Sequence, residues 1–250
     1  MTLVAAGYSR AAMAVRLSPR PGLTIGLTRD GQPVRSLTSA VFAQLRAEIL
    51  SCHLKPGEKL LIAGLARRFA VSLSAVREAL SRLAAEDLVQ AEDQRGFRVS
   101  PVSIGRLRDI TKARIDIEAL ALRRAIELGG ADWLAGIRAA YRELEATPLP
   151  QPGDAGARFE AWRTLHRRFH FALVSACASP WLLRFRDTLY EQSERYRFLA
   201  HGVRPRAVGA EHATIARAVC DRDVDAAVRA LSDHLALTAE IIVESRWGFE

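Results

Sequence analysis

Apolar side chains recur with a helical period along most of this 250-residue chain, from about residue 37 to residue 245, with one short interruption. Val41, Leu45, Ile49 and Leu50 share one face of a helix that Lys55-Pro56-Gly57 stops. Leu61, Leu65, Ala66 and Phe69 define a second, short helix. Val76, Ala79, Leu80 and Leu83 define a third at i, i+3, i+4 and i+7 spacing. Phe69-Ala70-Val71-Ser72 between them reads as a tight turn, with Ser72 or Ser74 as the N-cap. The interruption follows: Leu88-Val89-Gln90-Ala91, a polar turn ending in Gly96, then Phe97-Arg98-Val99, the pattern of a two-stranded hairpin. Beyond Val102 the spacing predicts six helices, at about 103–128, 132–146, 157–178, 180–200, 207–221 and 223–245. Gly129-Gly130 and the segment Thr147 to Gly156 are breaks, and Pro180 suits a first helical turn. Residues 1–36 lack any period. Arg10, Arg16, Arg20, Arg29 and Arg35 face only Asp30 there, among prolines and glycines, which predicts a basic, disordered tail.

The expected fold is mainly α: three helices and a hairpin over 37–101, then an all-α six-helix bundle over 102–246. Three helices and a hairpin within about 65 residues is the winged helix-turn-helix layout, whose third helix enters the major groove of DNA. Ser72, Ser74 and Arg77 stand in its first turn, where side chains meet base edges. Arg67 and Arg68 on the preceding helix, with Arg95 and Arg98 on the wing, would neutralise phosphates, and Gly96 lets the wing approach closely. The net charge of +8 and pI near 10.1 agree with a polyanion partner but would not establish one. A homodimer on a near-palindromic operator in double-stranded DNA is expected, because one such module is small. No apolar run is long enough to span a bilayer, and the start does not read as a secretory signal. Cys52, Cys177 and Cys220 form no metal or disulfide pattern. A cytoplasmic protein without membrane attachment is the expectation.

The same residues carry a family resemblance. Leu65-Ala66 and then Val71-Ser72-Leu73-Ser74-Ala75-Val76-Arg77-Glu78-Ala79-Leu80-Ser81-Arg82-Leu83 resemble the GntR-type regulator signature, extended by Leu88-Val89 and Arg95-Gly96-Phe97-Arg98-Val99. The usual pattern is S-R-T-P-V-R-E-A-L followed by L-A-A-E-G-L-V. This chain has Leu73 for the first arginine, Ala75 for the proline and Asp87 for the glycine. Arg77 matches the family's second DNA-contacting arginine. The base contact of the first does not carry over to Leu73, which implies a different operator.

In the helical half, His166 and His170 lie four apart on one helix face, and His212 and His234 sit on two later helices. Such helices can converge imidazoles on one buried point suited to a zinc- or nickel-like cation, although a helical histidine is more often an ordinary core or surface residue. Phe169-His170, Glu211-His212 and His234-Leu235 resemble the FCD ligand-binding domain of the FadR-type branch of GntR regulators, over about 103–245. That resemblance implies a divalent metal, zinc first and nickel second, and a small organic-acid effector. The family's D-x-x-x-H pair has His166 in the aspartate position, so His170, His212 and His234 match and His166 departs. Arg114 and Glu118 match the family's first-helix Arg-x-x-x-Glu, which implies that Arg114 contacts effector; a simple pair with Glu118 is the alternative. Ser72 to Arg77, Asp93 to Arg98 and Trp162 to Leu183 look closest to regulators of glutarate and other dicarboxylate catabolism.

Trp162, Phe169, Trp181, Phe185 and Tyr190 read as bundle core. Arg195-Tyr196-Arg197 reads either as a reach toward an acidic ligand or as a solvated helix end. A metal-dependent enzyme using the same histidines is the alternative function. A zinc protease, however, needs glutamate after the first histidine, and that position is Arg167, which cannot accept a proton near neutrality. The expectation is a repressor-type transcription regulator and not an enzyme.

Overall fold

A computed structural model describes residues 36–92, 96–149, 157–199 and 207–244. The proposed tail up to residue 35 and Asp93 to Arg95 of the wing lie outside them. The N-terminal unit is α1 (Leu37–Leu50), β1 (Lys59–Leu60), α2 (Ile62–Phe69), α3 (Leu73–Ala85), β2 (Val89–Glu92) and β3 (Gly96–Val99). Its core is the predicted stripe, Val41, Leu45, Ile49, Phe69, Val76, Leu80 and Leu83, sealed by Leu88 and Val99.

Two local outcomes differ from the sequence reading. α1 ends at Leu50 and not at the proline, because Ser51 Oγ turns back to Ala47 O and Cys52 takes a left-handed conformation. The hairpin is also the edge pair of a three-stranded antiparallel sheet of order β1-β3-β2, in which Leu60 faces Phe97 and Gln90 faces Arg98. Two residues are too few to show a period of two, so β1 carries no sequence signal.

Ser72 caps α3 by accepting from Ala75 N at 3.2 Å, and Ala70 makes the turn in the left-handed region. Asp87, which stands where the family signature has glycine, also has a positive φ of 56°. Aspartate tolerates that conformation better than most residues. Its carboxylate is held by Arg106 of the next helix, a tie that glycine could not make.

The remaining helices are α4 (Ile104–Leu128), α5 (Ala131–Glu145), α6 (Ala157–Val174), α7 (Pro180–Leu199), α8 (Val208–Cys220) and α9 (Val224–Glu244). They pack about Leu122, Ile137, Phe169, Leu173, Ile215 and Leu231. Trp162, Phe169 and Tyr190 are buried as expected. Trp181 and Phe185 are not: they stand 63% and 50% exposed and pack on each other at 5.8 Å between centroids. The periodicity places them on one face of α7, but the bundle covers the opposite face, through Leu182 and Tyr190.

The turn between α4 and α5 is close-fitting. A Cβ on Gly129 would lie 2.1 Å from the Trp133 ring and 2.6 Å from Ala125 O. The ring cannot yield easily, since Trp133 Nε1 donates to Ala172 O at 2.8 Å. Arg222 closes the same turn with bonds to Ile126 O and Gly129 O. Gly129→Ala is expected to cost about 1–3 kcal/mol by overpacking, measured as a lower urea midpoint at unchanged slope.

Candidate functional site

The exposed surface of α3 begins at its cap. Ser72, Ser74 and Arg77 are all exposed, as is Arg67 at the end of α2. Ser72 Oγ is already engaged in capping and lies 2.9 Å from Ser74 Oγ. Leu73 is exposed beside them. Arg98 is half-buried, bonded to Glu92 at 2.7 Å and to Gly57 O at 2.5 Å. Gly96 has a φ of 96°, which favours glycine. Arg68 departs from the expectation. It turns inward onto the buried carboxylate of Glu48 and lies over Phe69, so it ties α2 to α1 and does not face phosphate. Arg95 lies outside the described residues.

The four candidate histidines do converge. His166 and His170 of α6, His212 of α8 and His234 of α9 are each no more than 4% exposed. One ring nitrogen from each lies within 4.8 Å of the others. Tetrahedral ligands about 2.0–2.1 Å from zinc sit about 3.3 Å apart. The 3.1 Å between His166 Nε2 and His170 Nε2 already matches that edge, and the other rings need only modest closure. Glu211 Oε2 lies 2.9 Å from His234 Nδ1, which leaves Nε2 to face the centre, the arrangement by which an outer carboxylate orients a ligating ring. Trp162 stacks on His166 at 4.6 Å. His170 Nδ1 is buried with no hydrogen-bond partner. The donor set is chemically fit for a borderline divalent cation.

Arg114 makes the pair with Glu118 foreseen as its plainer role, through Nε at 2.6 Å, and its Nη1 donates to Ser193 at 2.9 Å. Its Nη2 is nevertheless buried without a partner. Arg186 of α7, which no sequence pattern marked, is fully buried and stands 3.7 Å from the other side of Glu118, with Nε and Nη2 unsatisfied. Burial alone would raise the Glu118 carboxyl, but the two guanidinium groups hold it below the usual range. Both arginines lie over the Tyr190 ring, and burial pushes that phenol up to about 12. Arg114, Ser193 and Arg197 line a small cavity whose far wall is Leu235, Ala239 and Ile242.

Arg195 and Tyr196 are buried, so the end of α7 is not a solvated helix end. One side of α7 faces the imidazoles: Tyr190 Oη is 3.5 Å and Arg197 Nη1 is 3.2 Å from His166 Nδ1. Another side meets the N-terminal unit. Glu191 pairs with Arg46 of α1, Gln192 donates to Glu86 O at the end of α3 (2.9 Å), and Arg195 donates to Ser100 O (2.6 Å).

A winged helix-turn-helix with an exposed recognition helix, joined to a helical bundle with a polar interior, defines a DNA-binding transcription regulator. The comparisons with known proteins agree. Residues 37–99 match "Bacterial regulatory proteins, gntR family" and residues 109–237 match "FCD domain". The chain belongs to the GntR family of bacterial regulators, in the FCD-containing group. It is 39% identical over 211 residues to the HTH-type transcriptional regulator BphR of Paraburkholderia xenovorans, covering 84% of this chain and 86% of that protein. It is 33% identical over 213 residues to the HTH-type transcriptional repressor GlaR of Escherichia coli, covering 82% and 94%. The solved structure of E. coli McbR/YncC shares the fold, with a TM-score of 0.67 at 23% identity over 84% of this chain and 98% of that one. These relatives are regulators, and so is this chain; the enzyme alternative falls on that ground. Among the described residues, no helix is long and apolar enough to cross a membrane.

Burial, and then the neighbouring charged groups and rings, hold His166 and His170 well below the ordinary imidazole value of about 6.5. In metal-free protein both rings are therefore neutral where an unfolded chain would already be protonated. Their contribution to stability is complete above about pH 6.5 and is lost progressively as the pH falls below it toward the lower values of the folded state. In the presence of a chelator, the urea midpoint should hold above about pH 7 and fall steadily from about pH 6.5 to pH 5. A flat profile would contradict buried neutral rings.

Proposed function

We propose that this regulator is a homodimeric repressor in the cytoplasm whose affinity for a near-palindromic operator is set by a small organic acid, bound at or beside a divalent metal held by His166, His170, His212 and His234. The observation that carries the reading is the burial of four imidazole nitrogens within 4.8 Å of one another, on three helices of the sensor bundle. Zinc suits four nitrogens best and nickel second. The metal would supply Lewis acidity for a carboxylate. The chain's own groups do the rest. Arg114 offers an unpartnered Nη2, and Arg186, shared between Glu118 and Asp187, adds a second buried guanidinium beside it. A short dicarboxylate would place one carboxylate on the metal and the other against Arg114 Nη2. Division of the chain into a DNA-reading module over 37–101 and a sensor and dimerisation domain over 102–246 follows from the same reading.

On the DNA side, Arg77, Ser72 and Ser74 would meet base edges or nearby phosphates, while Arg67, Arg95, Arg98 and Gly96 would meet backbone. Leu73, exposed in the same turn, offers an apolar contact of the kind that reads a thymine methyl. Arg77→Ala should weaken operator binding by about 1–3 kcal/mol, and binding should fall steeply with salt. Unchanged operator affinity in a gel-shift titration would refute the placement of α3 in the groove.

On the sensor side, elemental analysis should find close to one zinc- or nickel-like ion per chain, lost in His170→Ala or His212→Ala. Succinate or glutarate titrated calorimetrically into loaded protein should bind more weakly to Arg114→Ala. Their affinity should also change when operator is present, by the same factor as the acid changes operator binding. Equal affinities with and without operator would remove the switch.

A further inference from the structure

Arg197 imposes a proton arrangement on the imidazole cluster. A guanidinium donates and cannot accept, so the contact from Arg197 Nη1 to His166 Nδ1 at 3.2 Å makes that nitrogen an acceptor. A neutral His166 then carries its proton on Nε2, the atom 3.1 Å from His170 Nε2. His170 accepts there and keeps its own proton on Nδ1, the buried atom without a partner. Coordination demands the reverse. His166 Nε2 must present its lone pair, so the ring proton sits on Nδ1, where it can donate to Tyr190 Oη at 3.5 Å but cannot accept from Arg197. The Arg197 contact and ligation through His166 Nε2 exclude each other. Arg197 has somewhere to go: it is bonded to Glu194 at 2.9 Å and lines the cavity beside Arg114.

Two turns earlier on the same helix, Glu191 joins the sensor to the DNA-reading module. It pairs with Arg46 of α1 and, at 2.9 Å, with Arg167, the neighbour of His166. Each arginine also touches a second carboxylate: Arg46 that of Glu86 at 2.7 Å, Arg167 that of Asp187 at 3.9 Å. The seam can therefore shift at Glu191 without stranding either guanidinium. Glu86 is the C-cap of α3, so a shift there reaches the recognition helix directly.

We propose that α7 is the relay between the two halves of this regulator: His166 releases Arg197 when the imidazole cluster takes up a divalent cation, and Glu191 is the positioning residue that passes the change to α1 and α3. The relay rests on the reading of the four histidines as a metal site. Two variants outside the ligand set test it, with zinc alone as the probe and no operator required. Arg197→Met removes the competing contact and should raise zinc affinity by about tenfold, the worth of one charge-assisted hydrogen bond given up on binding. A merely structural Arg197 would leave zinc affinity unchanged or lower it, and either result overturns the gate. In the wild type, zinc should alter amide hydrogen exchange in α1 and at the end of α3. Glu191→Gln should keep zinc affinity within about twofold and lose that distant change while keeping the change within α7. Zinc saturation of the wild type without any effect on α1 or α3 overturns the relay and leaves the metal site standing. Failure of the wild type to bind zinc overturns the metal reading itself, and the relay with it.

Discussion

The centre of this bundle is polar, and everything about the helical half depends on how that polarity is satisfied. Four imidazoles, two guanidinium groups and a carboxylate lie where a helical bundle ordinarily packs leucine. Burying a charge is costly unless it is paired and hydrogen-bonded. Glu118 serves both Arg114 and Arg186, Tyr190 spreads its ring under the same two arginines, and Glu211 turns His234 toward the centre. Arg114 Nη2 and Nε and Nη2 of Arg186 have no hydrogen-bond partner, and neither has Glu118 Oε2, which lies 3.7 Å from Arg186 Nε.

The two halves are joined differently from the way each is held together. Apolar side chains form one cluster around α1 to α3 and the sheet, and separate clusters in the bundle. Between them the contacts named along α7 are polar: Glu191 to Arg46, Gln192 to Glu86 O, Arg195 to Ser100 O, with Arg106 of α4 reaching Asp87. Close-packed apolar surfaces resist small displacements, whereas ion pairs with alternative partners can be exchanged at little net loss. Asp87 gives up glycine's freedom and gains a tie to Arg106 across the seam.

The helices of both halves were legible in the sequence because burial on one face imposes a period, and a period survives in one dimension. The winged helix-turn-helix was legible for the same reason, strengthened by the run from Val71 to Leu83. The histidines stood out because four-residue spacing and a family pattern marked them. The sequence by itself thus determined the helices and the hairpin, the class of regulator and the identity of the candidate ligands, but not the two-residue strand β1. It could not say which way a side chain on a two-sided helix points. Trp181 and Phe185 share a period with buried residues and yet stand exposed; Arg68 shares one with exposed residues and yet turns in to Glu48. Only the tertiary structure decided those directions, brought Arg186 to Glu118 and set Arg197 against His166. Each of these is a meeting of distant charges or lone pairs, fixed by how helices cross and not by the spacing along any one of them.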